Sequence, residues 1–185
     1  MLDSIIAERY AKSLFELSSE AGKVEQVKAD MDLFLDILRN SPDFRHLLVS
    51  PVVKPVKKIG VLDALLHGKV DDITGKFIHL ITKKRREKYL GLIAAEFIEK
   101  YKEIKKIVTI EVRTVKPLSD EIRKKIIGLI ENRKGVTVDL VEIIDPSLLG
   151  GFIVSTGKVR YDSSLVTSIK KLKKEFEENL YIREF

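Results

Sequence analysis

Apolar positions in the first 105 residues recur at intervals of three and four, the period of an α-helix. Residues 3–21 predict the first helix, capped by Asp3 or Ser4, with Ile6, Tyr10, Leu14 and Leu17 in register. Ala7, Ala11 and Phe15 widen its stripe beyond what one core contact needs. Such a helix is either buried between two neighbours or keeps a second apolar face for a partner helix. Gly22 ends it, and a second helix follows to about Arg39 on Val24, Val27, Met31, Phe34, Leu35 and Leu38. Ser41-Pro42 is a cap followed by proline at the first helical position, which predicts a short helix carrying Phe44, Leu47 and Leu48. Pro55 opens a helix to about His67 on Ile59, Leu62, Leu65 and Leu66, and Asp72 opens another on Ile73, Phe77, Ile78, Leu80 and Ile81. After Lys83-Lys84-Arg85-Arg86 a sixth helix spans about Glu87–Ile104 on Tyr89, Leu90, Ile93, Ala94, Phe97, Ile98 and Tyr101. Short loops between six helices predict an antiparallel bundle.

Beyond residue 105 the period changes to two. Val108, Ile110 and Val112 alternate with Thr109, Glu111 and Arg113, a half-buried strand. Ser119 caps a helix on Ile122, Ile126, Leu129 and Ile130, with Asp120 and Glu121 in the first turn where the dipole favours acids. Residues 136–144, 151–155 and 158–161 read as strands, and Asp162 or Ser163 caps a last helix on Leu165, Ile169, Leu172 and Phe176. The fold class expected is therefore a six-helix all-α bundle over residues 1–105, then a small β-α-β-β-β-α domain of α+β type over 106–185. Asp145-Pro146 stops the second of these strands because proline has no N–H for the ladder. Gly150-Gly151 allows positive φ or close approach of another segment.

Charge modifies this picture unevenly. Residues 1–53 carry a net charge of −3, residues 54–105 carry +6 and residues 106–185 carry +3. An acidic start beside a basic middle points to complementary packing or partner choice. One glutamine and three asparagines stand against 34 basic and 28 acidic residues, a balance resembling thermophile composition. Cysteine is absent, which removes disulfides, thiolate nucleophiles and cysteine metal sites. The chain has neither a secretory pattern at its start nor an apolar run of the roughly 20 residues that cross a bilayer.

Gly-Lys pairs occur at 22–23, 68–69, 75–76 and 157–158. A phosphate loop needs a glycine five residues before the second glycine and Ser or Thr after the lysine, and all four pairs fail both requirements. His46, His67 and His79 lie on three separate helices without metal spacing. Neither the run Lys83–Arg86 nor the lysines at 170, 171, 173 and 174 has interleaved aromatics, so both read as solvated faces.

Four stretches carry a family resemblance. Ala7-Glu8-Arg9-Tyr10-Ala11-Lys12-Ser13-Leu14-Phe15 resembles the opening helix of the delta subunit of bacterial F-type ATP synthases, whose mitochondrial counterpart is the oligomycin-sensitivity-conferring protein. The passage 78–97, with Lys84-Arg85-Arg86, Leu90, Ile93 and Phe97, is similar to the family's segment there. Asp145-Pro146-Ser147-Leu148-Leu149-Gly150-Gly151-Phe152 resembles its Asp-Pro-Ser-Leu signature, and Asp162-Ser163-Ser164-Leu165 the start of its last helix. Ser13 stands where the family usually has alanine, and Lys83-Lys84 where Glu-Asn is common.

The resemblance implies a non-catalytic stator subunit of a proton- (or sodium-) translocating ATP synthase, without cofactor or metal. It implies that residues 1–105 bind the catalytic head, receiving the N-terminal helix of an alpha subunit between the first and fifth helices. It implies that residues 106–185 hold the b subunits of the peripheral stalk, with the whole complex at the cytoplasmic face of the cell (inner) membrane. The site residues expected for the alpha-subunit helix are Ala7, Ala11, Leu14, Phe77, Leu80 and Ile81. The alternative is a basic RNA-binding or assembly module, which predicts steeply salt-dependent RNA retardation. An enzyme with a metal-free carboxylate site is a third class, resting only on abundant Asp and Glu.

Overall fold

The structure, a computed structural model, describes residues 2–157 and 159–178. Among them are eight α-helices and a four-stranded mixed sheet, divided between two compact units, Met1–Ile104 and Lys105–Phe185.

The first unit contains α1 (Leu2–Glu20), α2 (Val24–Asn40), α3 (Pro42–Val49), α4 (Pro55–Leu66), α5 (Asp72–Lys83) and α6 (Leu90–Ile104). Local chemistry sets the boundaries. Ser41 Oγ accepts from Phe44 N at the start of α3, and Asp71 Oδ1 accepts from Ile73 N at the start of α5. Gly22, at φ +66°, takes the left-handed conformation that follows α1. The core gathers Ala7, Ala11 and Leu14 from α1, Met31 and Phe34 from α2, Leu62 from α4, Ile78 and Ile81 from α5, and Ile93 and Phe97 from α6. The sixth helix does not run on from Glu87. A 3-10 turn, Glu87–Tyr89, precedes α6 and carries the buried Glu87.

Among the described residues of this unit three charged side chains are buried, Asp30, Lys58 and Glu87. Lys58, on the apolar side of α4, is only 1% exposed and donates to Glu87 Oε1 at 2.5 Å and Leu48 O at 2.9 Å. Asp30 on α2 accepts from Thr74 Oγ1 at 2.6 Å and Asp71 N at 2.9 Å, so it anchors the start of α5. Burying a charge is unfavourable unless it is paired or hydrogen-bonded; Lys58 is paired with Glu87, and Asp30 is hydrogen-bonded by Thr74 and Asp71.

In the second unit β1 (Ile107–Thr114) leads through α7 (Asp120–Lys134) to β2 (Thr137–Ile144), then β3 (Phe152–Thr156), β4 (Val159–Asp162) and α8 (Leu165–Glu178). The sheet order is β2-β1-β3-β4, with β1 parallel to β2 and antiparallel to β3. A helical crossover is what a parallel neighbour requires, and α7 supplies it. Ile110, Val112 and Thr114 fill the buried face of β1. Gly135, at φ +59°, ends α7 with its N–H on Glu131 O.

Two expectations for the last helix are corrected. Its cap is Ser164, whose Oγ accepts from Thr167 N, while Asp162 Oδ1 accepts from Ser164 N. Its stripe is not core: Leu165, Ile169, Leu172 and Phe176 are all exposed. An amphipathic period says that a helix has an apolar face, not that its own chain covers it. Ile122 on α7 is exposed as well, and the side chains of Leu129 and Ile130 lie outside what the structure describes. The apolar tail 180–185 also lies outside the described residues.

Candidate functional site

The first candidate site grows out of two neighbouring stripes on each of two helices. On α1, Ala7, Ala11, Leu14 and Ser18 follow one another at helical spacing and are at most 1% exposed. One position back along each turn run Ile6, Tyr10, Ser13 and Leu17. Ile6 and Tyr10 are half-buried and Leu17 is 53% exposed. On α5, Thr74, Ile78 and Ile81 point to the core, and beside them run Ile73, Phe77 and Leu80. Ile73 and Phe77 are half-buried and Leu80 is 46% exposed.

The two outer stripes meet. The rings of Tyr10 and Phe77 pack edge to face, with centroids 6.4 Å apart and planes at 71°. Arg86, just past α5, donates from Nη1 to Tyr10 Oη at 2.5 Å, and its guanidinium sits 5.6 Å from the ring centroid. The result is a seam between α1 and α5 with an aromatic floor and aliphatic rims at Leu17 and Leu80. It offers apolar contact and one cation.

The expected site residues divide accordingly. Phe77 and Leu80 lie on the seam. Ala7, Ala11, Leu14 and Ile81 do not; they face the core and offer no side-chain surface to a partner. Ala7 and Ala11 are small enough to let α6 come close, and Leu14 and Ile81 fill the core beside them. Tyr10 and Leu17 are legible in the sequence as apolar positions in register; the structure places Tyr10 half-buried and Leu17 exposed. Arg86, read as part of a solvated face, is tied to Tyr10.

The second candidate is the 145–152 connection. Asp145 Oδ1 accepts from Ser147 Oγ and N at 2.6 and 3.0 Å, hydrogen bonds that hold its carboxyl below the usual carboxylate range. A 3-10 turn, Pro146–Leu148, buries Leu148. Gly150 O then accepts from Leu165 N, and Phe152 O from Ser163 N. A Cβ on Gly151, at φ +78°, would run into Ser163 O. The two motifs 145–152 and 162–165, ten residues apart at their nearest ends, thus form one structural joint. The backbone N–H of Ser164 is the main reason that the Asp162 carboxyl also sits below its ordinary range.

Elsewhere, His79 Nε2 lies 2.5 Å from Asp63 Oδ1 between α5 and α4, and His67 lines the same small hollow of about 160 Å³. Among the described residues no three His, Asp or Glu side chains are grouped as metal ligands. No described helix is long and apolar enough to cross a membrane.

Comparison with known proteins decides the family. The family model of the ATP synthase delta (OSCP) subunit matches residues 6–176. The chain belongs to this family. A delta subunit of ATP synthase from Cytophaga hutchinsonii is 33% identical over 180 residues, covering 97% of this chain and 98% of that relative. One from Syntrophomonas wolfei is 31% identical over 182 residues, covering 96% and 98%. Among solved structures, a chain of the Toxoplasma gondii mitochondrial ATP synthase hexamer superposes with a TM-score of 0.70 at 26% identity, covering 94% of this chain and 98% of that one. The resemblance read from the four motifs therefore holds over nearly the full length of this delta/OSCP family member.

Proposed function

We propose that this chain is the stator subunit of a rotary ATP synthase, joining the top of the catalytic head to the peripheral stalk and resisting the torque of the rotor. The observation that carries the reading is the open apolar seam between α1 and α5 in a chain of the delta/OSCP family. Its first unit, a six-helix bundle, receives the amphipathic N-terminal helix of an alpha subunit along that seam, with Tyr10 and Phe77 as floor and Leu17 and Leu80 as rims. Helix-in-groove docking needs this kind of surface. Apolar burial at about 25 cal/mol per Å² gives slow dissociation without catalytic groups. The second unit, of β-α-β-β-β-α order, holds the b subunits, and the exposed stripe of α8 is the apolar face available for them. The complex then sits at the cytoplasmic face of the membrane, with this subunit attached only through its partners and contributing no catalysis.

An alpha-subunit N-terminal peptide added to the labelled chain is expected to shift amide NMR signals of residues 3–21 and 72–83. Unchanged spectra at high peptide excess overturn the docking. Capture of alpha and b subunits from solubilised membranes by the tagged chain tests the stator role as a whole.

A further inference from the structure

A second surface of the helical unit shares no residue with the α1–α5 seam. It lies where α3 ends, the chain passes through Ser50–Lys54 into α4, and Arg85 turns toward Glu87. A cleft of about 260 Å³ opens there, with Leu48, Val52 and Arg85 among its walls and Lys58 and Glu87 in its lining. A neighbouring hollow of about 260 Å³ shares Leu48, Val49 and Lys88 and extends over Gly91 and Leu92. Gly91 keeps the hollow's edge low, since a Cβ there would stand 3.1 Å from Leu38 Cδ1.

Three independent features of this surface point to a ligand. Val49, Val52 and Leu92 are exposed apolar side chains gathered along its two hollows. Arg45, Lys54, Arg85 and Lys88 stand around them, and among the described residues none of the four is in an ion pair. Arg45 Nη1 is engaged with the carbonyls of Leu38 and Arg39, and the Lys88 ammonium lies over the Tyr89 ring. Finally, Glu87 Oε2 is buried and accepts no hydrogen bond from the described residues, although Oε1 takes the Lys58 ammonium. A buried acceptor without a donor is unfavourable, and native structures rarely leave one so.

We propose that this cleft docks a second protein segment, acidic and carrying aliphatic side chains. Its carboxylates meet the four cations, its aliphatic groups cover Val49, Val52 and Leu92, and one of its N–H or O–H groups donates to Glu87 Oε2. Charge favours this occupant, since residues 54–105 carry a net +6. A nucleic acid fits less well, because the exposed apolar walls are aliphatic, with no aromatic ring in the lining on which a base could stack.

The test uses the full ¹⁵N-labelled chain and a ten-residue peptide of alternating glutamate and leucine as probe. Saturable shifts confined to residues 48–54 and 85–92 are expected, weakening with added salt. The double variant Lys54→Glu/Lys88→Glu, and separately Val52→Asp, each lower the affinity roughly tenfold or more. All three side chains are exposed, so the variants keep the Val27 and Met31 signals of the native α2 core. The proposal is overturned by the absence of saturable shifts, by shifts on residues 3–21 and 72–83 instead, or by unchanged affinity in both variants. Equal binding of a lysine–leucine peptide, or tighter binding of a ten-nucleotide polyuridine at the same residues, overturns it too.

Discussion

Gly151 is held at φ +78° against the carbonyl of Ser163, so both its conformation and its missing side chain are required. Gly151→Ala should lower the stability of the second unit by about 2 to 5 kcal/mol, adding left-handed strain to a backbone clash. Denaturant unfolding followed by NMR should show residues 106–176 affected and the first unit unchanged; a variant that folds normally would refute this account of the joint. Lys58 tests the other unit. Lys58→Met leaves the Glu87 carboxylate buried without its cation and should cost about 3–5 kcal/mol, most of it recovered in Lys58→Met/Glu87→Leu. Asp145 and Asp162 set a pH dependence. Hydrogen bonds, from Ser147 in the first case and Ser164 in the second, hold both carboxyls below the ordinary range. A depressed folded-state pKa adds stability that is complete above the unfolded value of about 3.9 and is lost as pH falls through the folded value. The unfolding midpoint of the second unit should therefore drop below about pH 4, and Asp162→Asn should flatten that drop.

At the scale of the element, α1 and α5 each carry two apolar stripes one residue apart, and the two have different roles. Ala11→Leu, on the inner stripe, should destabilise the bundle by about 1–3 kcal/mol through overpacking. Leu80→Asp, on the outer stripe, should change stability by no more than about 0.5 kcal/mol and yet abolish binding of an alpha-subunit N-terminal peptide. Equal effects of both variants on a thermal melt would remove the distinction. The width of the α1 stripe was visible in Ile6, Ala7, Tyr10, Ala11, Leu14 and Leu17. Which half turns inward was not, because periodicity gives angles around a helix axis and not the position of the neighbour. The last helix repeats the point: Leu165, Ile169, Leu172 and Phe176 keep perfect spacing and are exposed. Lys58 is the converse case, a lysine among the apolar positions of α4 whose burial depends on Glu87, 29 residues away.

For the whole molecule, two compact units of different architecture follow one another along the chain. Each has its own buried residues, so the effects of Lys58 and Gly151 variants should stay within their own units. The low amide content and dense charge favour a melting midpoint above the roughly 45–65 °C of ordinary mesophile domains, measurable by calorimetry on the pure chain.

The sequence by itself determined the kind and order of these elements, through a period of three to four before residue 105 and two after it, and through caps such as Ser41 and Ser119 that act over three residues. It also carried the family, through motifs readable without any coordinates. Only the tertiary structure decided which apolar residues became core and which became surface. It alone joined Asp145–Phe152 to Asp162–Leu165, set Arg86 on Tyr10, and left Glu87 Oε2 without a donor among the described residues. Local propensity depends on neighbours in the chain, whereas burial and pairing depend on which distant segments come to lie against one another.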